Sequence, residues 1–320
     1  MDSAESNKTL LTEKIKNLFT EEGFIQTGVS RIDELKEEKD YFKNWLDEKR
    51  NADMEWLYNS FEKRINPKLI GEEFTSIISA AFIYDSPNKH STEPGIGKIS
   101  RYAWGSSDYH RVLKKKLKVI CKKIELLSEG IKTKYYTDDG PVMDKVWAVK
   151  SGIGWMGKNT NVLNADFGSF FFLCEVLINK ELLYDNPVED LCESCTICLN
   201  ACPTGALFEP YKLDANLCIS YHTIENRKEI PEHINLNGWI FGCDICQDVC
   251  PYNKSKIFTP EKSFYPVEKI FNKPLNGLEK ITEEGFNETL MSSPVKRTKY
   301  SGWKRNIEKV KKSLNLDSQD

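Results

Sequence analysis

The chain has 320 residues, of which 40% are hydrophobic and 29% charged, with a net charge of −3. That length allows a sizeable core and two domains, or one domain with an insertion. The near-neutral balance gives no global signature of a nucleic-acid binder, and no apolar stretch is long enough to cross a bilayer.

In chain order, residues 8–64 read as helices, with Leu10, Ile15 and Leu18 set among polar residues and then Ile32, Leu35, Trp45 and Leu46 in a charged segment. The start of the chain has no twin-Arg pair and no uninterrupted apolar run of the export kind. Ser76–Tyr84 is short, β-branched and aromatic, which predicts a buried strand. A loop with Pro87, Pro94, Gly95 and Gly97 follows. Leu113, Leu117, Ile120, Ile124 and Leu127 then step by four and three, the stripe of an amphipathic helix whose other faces are lysine-rich. Lys134–Tyr136 predicts a strand ending at the turn Asp138-Asp139-Gly140-Pro141. A helix is expected over 142–150, then a glycine-rich loop from Ser151 to Lys158, then a second buried strand over Phe170–Ile178. This alternation predicts an α/β or α+β layered structure. Gly152, Gly154 and Gly157 would let backbone approach a large planar ligand. The Gly-x-Gly-x-x-Gly spacing is no dinucleotide fingerprint, because a helix precedes it.

The cysteines carry the strongest signal. Eight of the ten lie between residues 192 and 250. They read Cys192-x2-Cys195-x2-Cys198-x3-Cys202-Pro203 and Cys243-x2-Cys246-x3-Cys250-Pro251, with Cys218 between the runs. Such runs hold two four-iron four-sulfur clusters, the last cysteine of each run reaching the other cluster. Cys192, Cys195, Cys198 and Cys250 would hold one cluster, and Cys202, Cys218, Cys243 and Cys246 the second. A zinc site gives no reason for two Cys-Pro endings, and a disulfide framework belongs to small secreted chains. Thiolates kept for iron need a reducing compartment, so the expected location is cytoplasmic. Cys121 and Cys174, in apolar surroundings, read as packing residues. His90, His110, His222 and His233 are too scattered for a metal site.

Several further strings stand outside these runs: Arg101-Tyr-Ala-Trp-Gly-Ser-Ser-Asp-Tyr-His110, Asp138-Asp-Gly-Pro-Val142, Gly152-Ile-Gly-Trp-Met-Gly-Lys-Asn159, Cys218-Ile-Ser-Tyr221 with Thr223-Ile-Glu225, Cys202-Pro-Thr-Gly-Ala206 and Phe241-Gly-Cys-Asp-Ile-Cys-Gln247. Together they resemble the epoxyqueuosine reductase family over residues 50 to 310. The resemblance implies an α+β protein. An N-terminal α/β cobalamin-binding domain of the reductive-dehalogenase/nitroreductase-like kind would occupy 1–180. A two-cluster ferredoxin-like domain would follow at 181–260, and a short basic helical tail at 261–320. It implies two 4Fe-4S clusters and cobalamin, and reduction of epoxyqueuosine at the tRNA wobble position to queuosine. By family position Asp138 is the acid, with Asp139 and Asp144 as rivals. Arg64, Tyr102, Asp138, Lys158, Asn159, Ser169, Ser220 and Asp244 are the candidates to line the cobalamin. The expected partners are tRNA carrying epoxyqueuosine in its anticodon loop and an external low-potential donor such as flavodoxin or ferredoxin, with the chain a monomer.

The chain departs from the family in lacking the helical-repeat extension of many members, and in carrying His222 where an apolar residue is usual. The eight cations between Lys296 and Lys312 are then candidates to hold phosphates, against an ordinary solvated helix. Two other readings compete. A reductive dehalogenase-like cobalamin enzyme would bring an export signal and a tyrosine donor, and a ferredoxin-like carrier would have no substrate of its own.

Overall fold

The computed structural model describes residues 3–254 and 257–315. Residues 1–2, 255–256 and 316–320, which fall within the expected domain ranges, lie outside the described residues. The centre is a four-stranded sheet of β1 (Gln26–Arg31), β2 (Ser76–Ile83), β3 (Thr133–Tyr136) and β4 (Phe171–Ile178). Its order is β1-β2-β4-β3, and every pairing is antiparallel. Of the two layered classes the sequence allows, the pairing therefore selects α+β.

All eight residues of β2 are buried, and β4 is nearly as enclosed. The cause is cover on both faces. The helices Ser3–Glu21 and Tyr109–Glu125 pack on one side, joining Ile15, Phe19, Leu113, Leu117, Ile120 and Ile124 to Ile78, Phe82, Val176 and Ile178. On the other side the helix Asp144–Lys150 sets Trp147 against Ile77 and Leu177, and Ala148 against Ala81 and Ile83. Cys121 and Cys174 sit in the first of these cores, where burial pushes their thiols up to about 11 and about 12.

The helical reading of residues 8–64 misses β1. Its sequence, QTGVSR, has only Val29 as a large apolar residue, so local pattern is silent and pairing with β2 decides its conformation. The predicted strands over 76–84 and 170–178 and the helix before the glycine-rich loop stand within two residues of their observed ends.

A second core gathers Ile99, Trp104, Ile219, Trp239, Ile240, Phe241, Leu275, Phe286, Trp303, Ile307 and Val310. The basic C-terminal run is thus no free strip. Its helix, Lys299–Ser313, buries Trp303, Asn306, Ile307 and Val310. Asn306 donates to the carbonyls of Thr223 and Ile240, both at 2.9 Å. Arg305 donates to the carbonyls of His222, Asn226 and Lys228, Lys304 to that of Glu279, and Lys309 to that of Pro231. His222 is buried, bonds the Asn216 carbonyl at 2.8 Å, and is lowered in pKa by that burial. This helix therefore closes the core behind the cysteine segment. Trp303→Ala should cost about 3–5 kcal/mol, read as a lower denaturant midpoint. Truncation before Lys296 should lose cluster content along with the fold, which iron analysis of the truncated protein checks.

Candidate active site

The turn after β3 carries Asp138 with a left-handed φ of +54°, a conformation that Asp tolerates better than most residues. Its carboxylate is exposed, and Oδ2 accepts a 2.6 Å hydrogen bond from the Tyr109 hydroxyl. Asp139 points elsewhere. It pairs with Lys114 and accepts from the Thr137 amide at 3.2 Å.

Asp138 lies within electrostatic reach of Arg64, Tyr102, Asp144, Lys145 and Arg297. Lys145 also feels the thiols of Cys246 and Cys218. Its side chain is exposed, yet the surrounding protein desolvates the ammonium and lowers its pKa. Its Nζ donates to the Thr160 carbonyl at 2.8 Å and to Asn161 Oδ1 at 3.1 Å. Tyr102, half-buried, has its hydroxyl pushed up chiefly by the same desolvation. Asp138, Arg64, Tyr102 and Lys145 thus form one electrostatic neighbourhood, which reaches the cysteine segment at Cys218 and Cys246.

The eight cysteines resolve into two neighbourhoods. Cys198 and Cys250 each feel Cys192 and Cys195, and these four thiols line one cavity together with Lys158, Asn159 and Tyr252. Cys246 and Cys243 feel Cys218, and Cys202 acts on both Cys218 and Cys246. Cys246 also feels Cys198, which joins the two sets. The sulfurs face donors. Cys192 receives the Trp155 indole N–H at 3.4 Å, Cys218 the amides of Ser220 and Tyr221, and Cys243 that of Ile245. Such N–H···S bonds favour thiolate over thiol and suit an iron–sulfur core. All ten cysteines are free thiols, and among the described residues no group of three or more His, Cys, Asp or Glu is placed to hold a single metal ion.

The cobalamin candidates divide. Arg64 and Tyr102 lie within electrostatic reach of Asp138, and Ser220 lies beside Cys218 on the helix Ile219–Ile224. Lys158 instead holds the cysteine loop through the carbonyls of Glu193 and Cys195. Asn159 donates to the Cys246 carbonyl at 3.3 Å. Ser169 bonds Gln247 and Asn253. Asp244 is fully buried and accepts from Ser100, the Arg101 amide and the Arg101 guanidinium. These four fasten the cysteine segment to the sheet domain. The glycines of the 151–158 loop also serve the protein itself: a Cβ on Gly154 would meet the Leu163 carbonyl oxygen at 2.0 Å, across the Trp155–Met156/Val162–Leu163 hairpin.

Two features escape a reading of motifs. Lys145 follows Asp144 in an ordinary amphipathic helix. Glu175, wholly buried in β4, stands within hydrogen-bonding reach of Asp144, and no other described group donates to its carboxylate oxygens. Burial first, and then Asp144, raise Glu175 well above its usual pKa, and burial raises Asp144. A glutamate inside an otherwise apolar strand was the available signal. A basic groove of about 640 Å³ adjoins the Asp138 turn through the Lys114–Asp139 pair, lined by His110, Arg111, Lys114, Lys115, Lys118 and Tyr135.

Comparison with known proteins decides the family. A model described as epoxyqueuosine reductase matches residues 64–139, and one described as a 4Fe-4S double cluster binding domain matches residues 191–253. The epoxyqueuosine reductase of Cellulophaga algicola is 40% identical over 97% of this chain and 100% of its own length. The chain belongs to the epoxyqueuosine reductase family. It is a reductase, hence an oxidoreductase, with two 4Fe-4S clusters among its cofactors. A solved epoxyqueuosine reductase with an epoxyqueuosine-modified tRNA-Tyr stem loop superposes with a TM-score of 0.87 at 30% identity, covering 97% of this chain and 83% of that one. The Bacillus subtilis epoxyqueuosine reductase, solved with its catalytic aspartate loop swung out of the active site, gives 0.87 at 29% identity with the same coverage. Among the described residues no helix is long and apolar enough to cross a membrane.

The reductase's buried carboxyl pair has a measurable consequence. Below pH 4.5, the ordinary value for glutamate, Glu175 is protonated in both folded and unfolded chains. Above it the unfolded chain releases a proton that the folded chain keeps, so stability falls as pH rises, by up to about 1.4 kcal/mol per unit. Glu175→Gln, which supplies Asp144 with an amide donor, should flatten that decline in melting temperature above pH 4.5.

Proposed function

We propose that the chain reduces the epoxide of epoxyqueuosine in the tRNA anticodon loop to the alkene of queuosine, with Asp138 as the general acid. The observation that carries this is the approach of an accessible carboxylate and the second cysteine set to one lysine, Lys145, which is within electrostatic reach of both. The reaction takes two electrons and two protons and releases water, and an oxygen leaving carbon needs a proton. In this reading Cys192, Cys195, Cys198 and Cys250 hold one cluster, and Cys202, Cys218, Cys243 and Cys246 hold the second. Electrons enter from an external low-potential donor such as flavodoxin or ferredoxin.

Cobalamin would lie in a cleft between Asp138 and the second cysteine set, where the polar groups of Arg64, Tyr102, Lys145 and Ser220 would hold it. When bound it supplies a strong one-electron donor or nucleophile that no side chain provides. Asp138, on an exposed turn, presents its proton to the substrate oxygen. Arg64 and Lys145 offset the carboxylate charge left behind. The relative solved with its catalytic aspartate loop swung out supports an acid carried on such a turn. The relative with a tRNA stem loop supports the substrate. The basic groove beside the turn would face phosphates of the anticodon arm, with Arg111, Lys114, Lys115 and Lys118 as their partners. Most of the C-terminal cations already bind carbonyls or carboxylates inside the protein, which makes the groove the better supported contact.

Asp138→Asn keeps the shape and tolerates the left-handed turn but has no proton to give. Turnover on tRNA containing epoxyqueuosine should fall about 10²- to 10⁴-fold, measured by nucleoside mass analysis, with cofactor content unchanged. Asp139→Asn should change it far less. A normal rate for Asp138→Asn would remove the acid from this turn. Replacing Cys246 or Cys250 by Ser should lower iron content in the anaerobically purified protein, whereas Cys121→Ser should not. Equal iron in all three would refute the ligand sets.

A further inference from the structure

Tyr109 is buried, with its ring stacked on Phe172 at 4.1 Å and 7° between planes. The sheet core therefore fixes the ring, and its hydroxyl meets Asp138 Oδ2 at 2.6 Å. His110 also stacks on it, at 4.0 Å, and is itself tied to Asp108, so two stacked neighbours hold the ring. Tyr102 packs edge-on against Tyr109 at 6.0 Å. A phenol so confined donates to one oxygen of the exposed Asp138 and leaves the other free of it.

We propose that Tyr109 is the positioning residue of the acid: it occupies Oδ2, so that the transferable proton rides on Oδ1, and it stabilises the carboxylate left when that proton departs. The inference rests on Asp138 being the acid. In the step, the Oδ1–H bond breaks, a new O–H bond forms on the substrate oxygen, and the bonding pair stays on Asp138. The two electrons of the reduction come from the enzyme's own redox chain. As charge grows on Asp138, the Tyr109 hydrogen bond changes from neutral to charge-assisted, which roughly doubles its strength. An interaction stronger in the transition state than before it accelerates the step. The other groups acting on Asp138 are Arg64, Lys145 and Arg297 as cations, Tyr102 as a neutral phenol, and Asp144, Glu175 and Cys174 on the sheet side. Among the described residues, Tyr109 is the side chain seen donating a hydrogen bond to the Asp138 carboxylate.

Tyr109→Phe keeps the stacked ring and removes only the hydroxyl. In the holoenzyme, kcat should fall about 10- to 100-fold, the size expected for one charge-assisted hydrogen bond. The alkaline limb of the kcat profile should move to higher pH, because loss of a donor to the ionised form makes Asp138 hold its proton longer. In the Asp138→Asn background the same change should have no further effect, since Tyr109 acts through that carboxylate. Cluster and cobalamin content should be unaltered. A slow Asp138→Asn beside a Tyr109→Phe enzyme of normal rate and unmoved alkaline limb overturns the role of Tyr109 alone. So does an undiminished effect of Tyr109→Phe in the Asn background. A normal rate for Asp138→Asn overturns the acid, and the role of Tyr109 with it.

Discussion

A Cβ on Gly28 would lie 1.8 Å from the carbonyl oxygen of Ser151. Only glycine lets the C-terminal end of the Asp144–Lys150 helix rest directly on the sheet. Gly28 stands opposite Ser79, Ser79 opposite Glu175, and Glu175 opposite Tyr136, so the helix lies over a row of small and polar residues that crosses all four strands. The two ends of this helix serve the two halves of the chemistry. The Asp138 turn and Lys145 sit at its start. From its end runs the 151–158 loop, whose Lys158 grips the carbonyls of the first cysteine run.

That seating explains why the Asp138 turn and the cysteine segment approach one neighbourhood from different directions. Asp138 hangs from β3 and accepts a hydrogen bond from Tyr109 of the Tyr109–Glu125 helix. The second cysteine set arrives through a segment fastened by Asn159, Ser169 and Asp244, each bonded across more than 70 residues of chain. Asp244 is the most enclosed of these ties, and its burial raises its pKa against the pull of Arg101. A buried carboxylate is tolerated only when hydrogen-bonded and paired, and here Ser100 and Arg101 meet both conditions.

Legibility in the sequence followed locality. The cysteine runs were readable because cluster ligation imposes short fixed spacings, and the buried strands because cover on both faces leaves continuous apolar runs. β1 was not readable, because Gln26–Arg31 has no pattern of its own and takes its form from β2. The motif residues Lys158, Asn159, Ser169 and Asp244 stood out in the sequence, but their polar atoms hold the cysteine segment in place. The basic C-terminal run looked like a solvated strip because charge is visible in a sequence, whereas the burial of Trp303, Ile307 and Val310 depends on a distant partner core.

The sequence by itself determined the cysteine runs, the layered alternation of strands and helices and the Asp138 turn, since each rests on residues close together in the chain. Tertiary structure alone decided that the sheet is antiparallel, that Glu175 meets Asp144 and that Lys145 comes within electrostatic reach of both Asp138 and the second cysteine set. It also decided that Tyr109 holds Asp138. The reason is physical: hydrogen bonds and desolvation depend on distance in space, and packing onto the sheet brings these groups together across 29 residues for Tyr109 and Asp138 and far more for the cysteine segment.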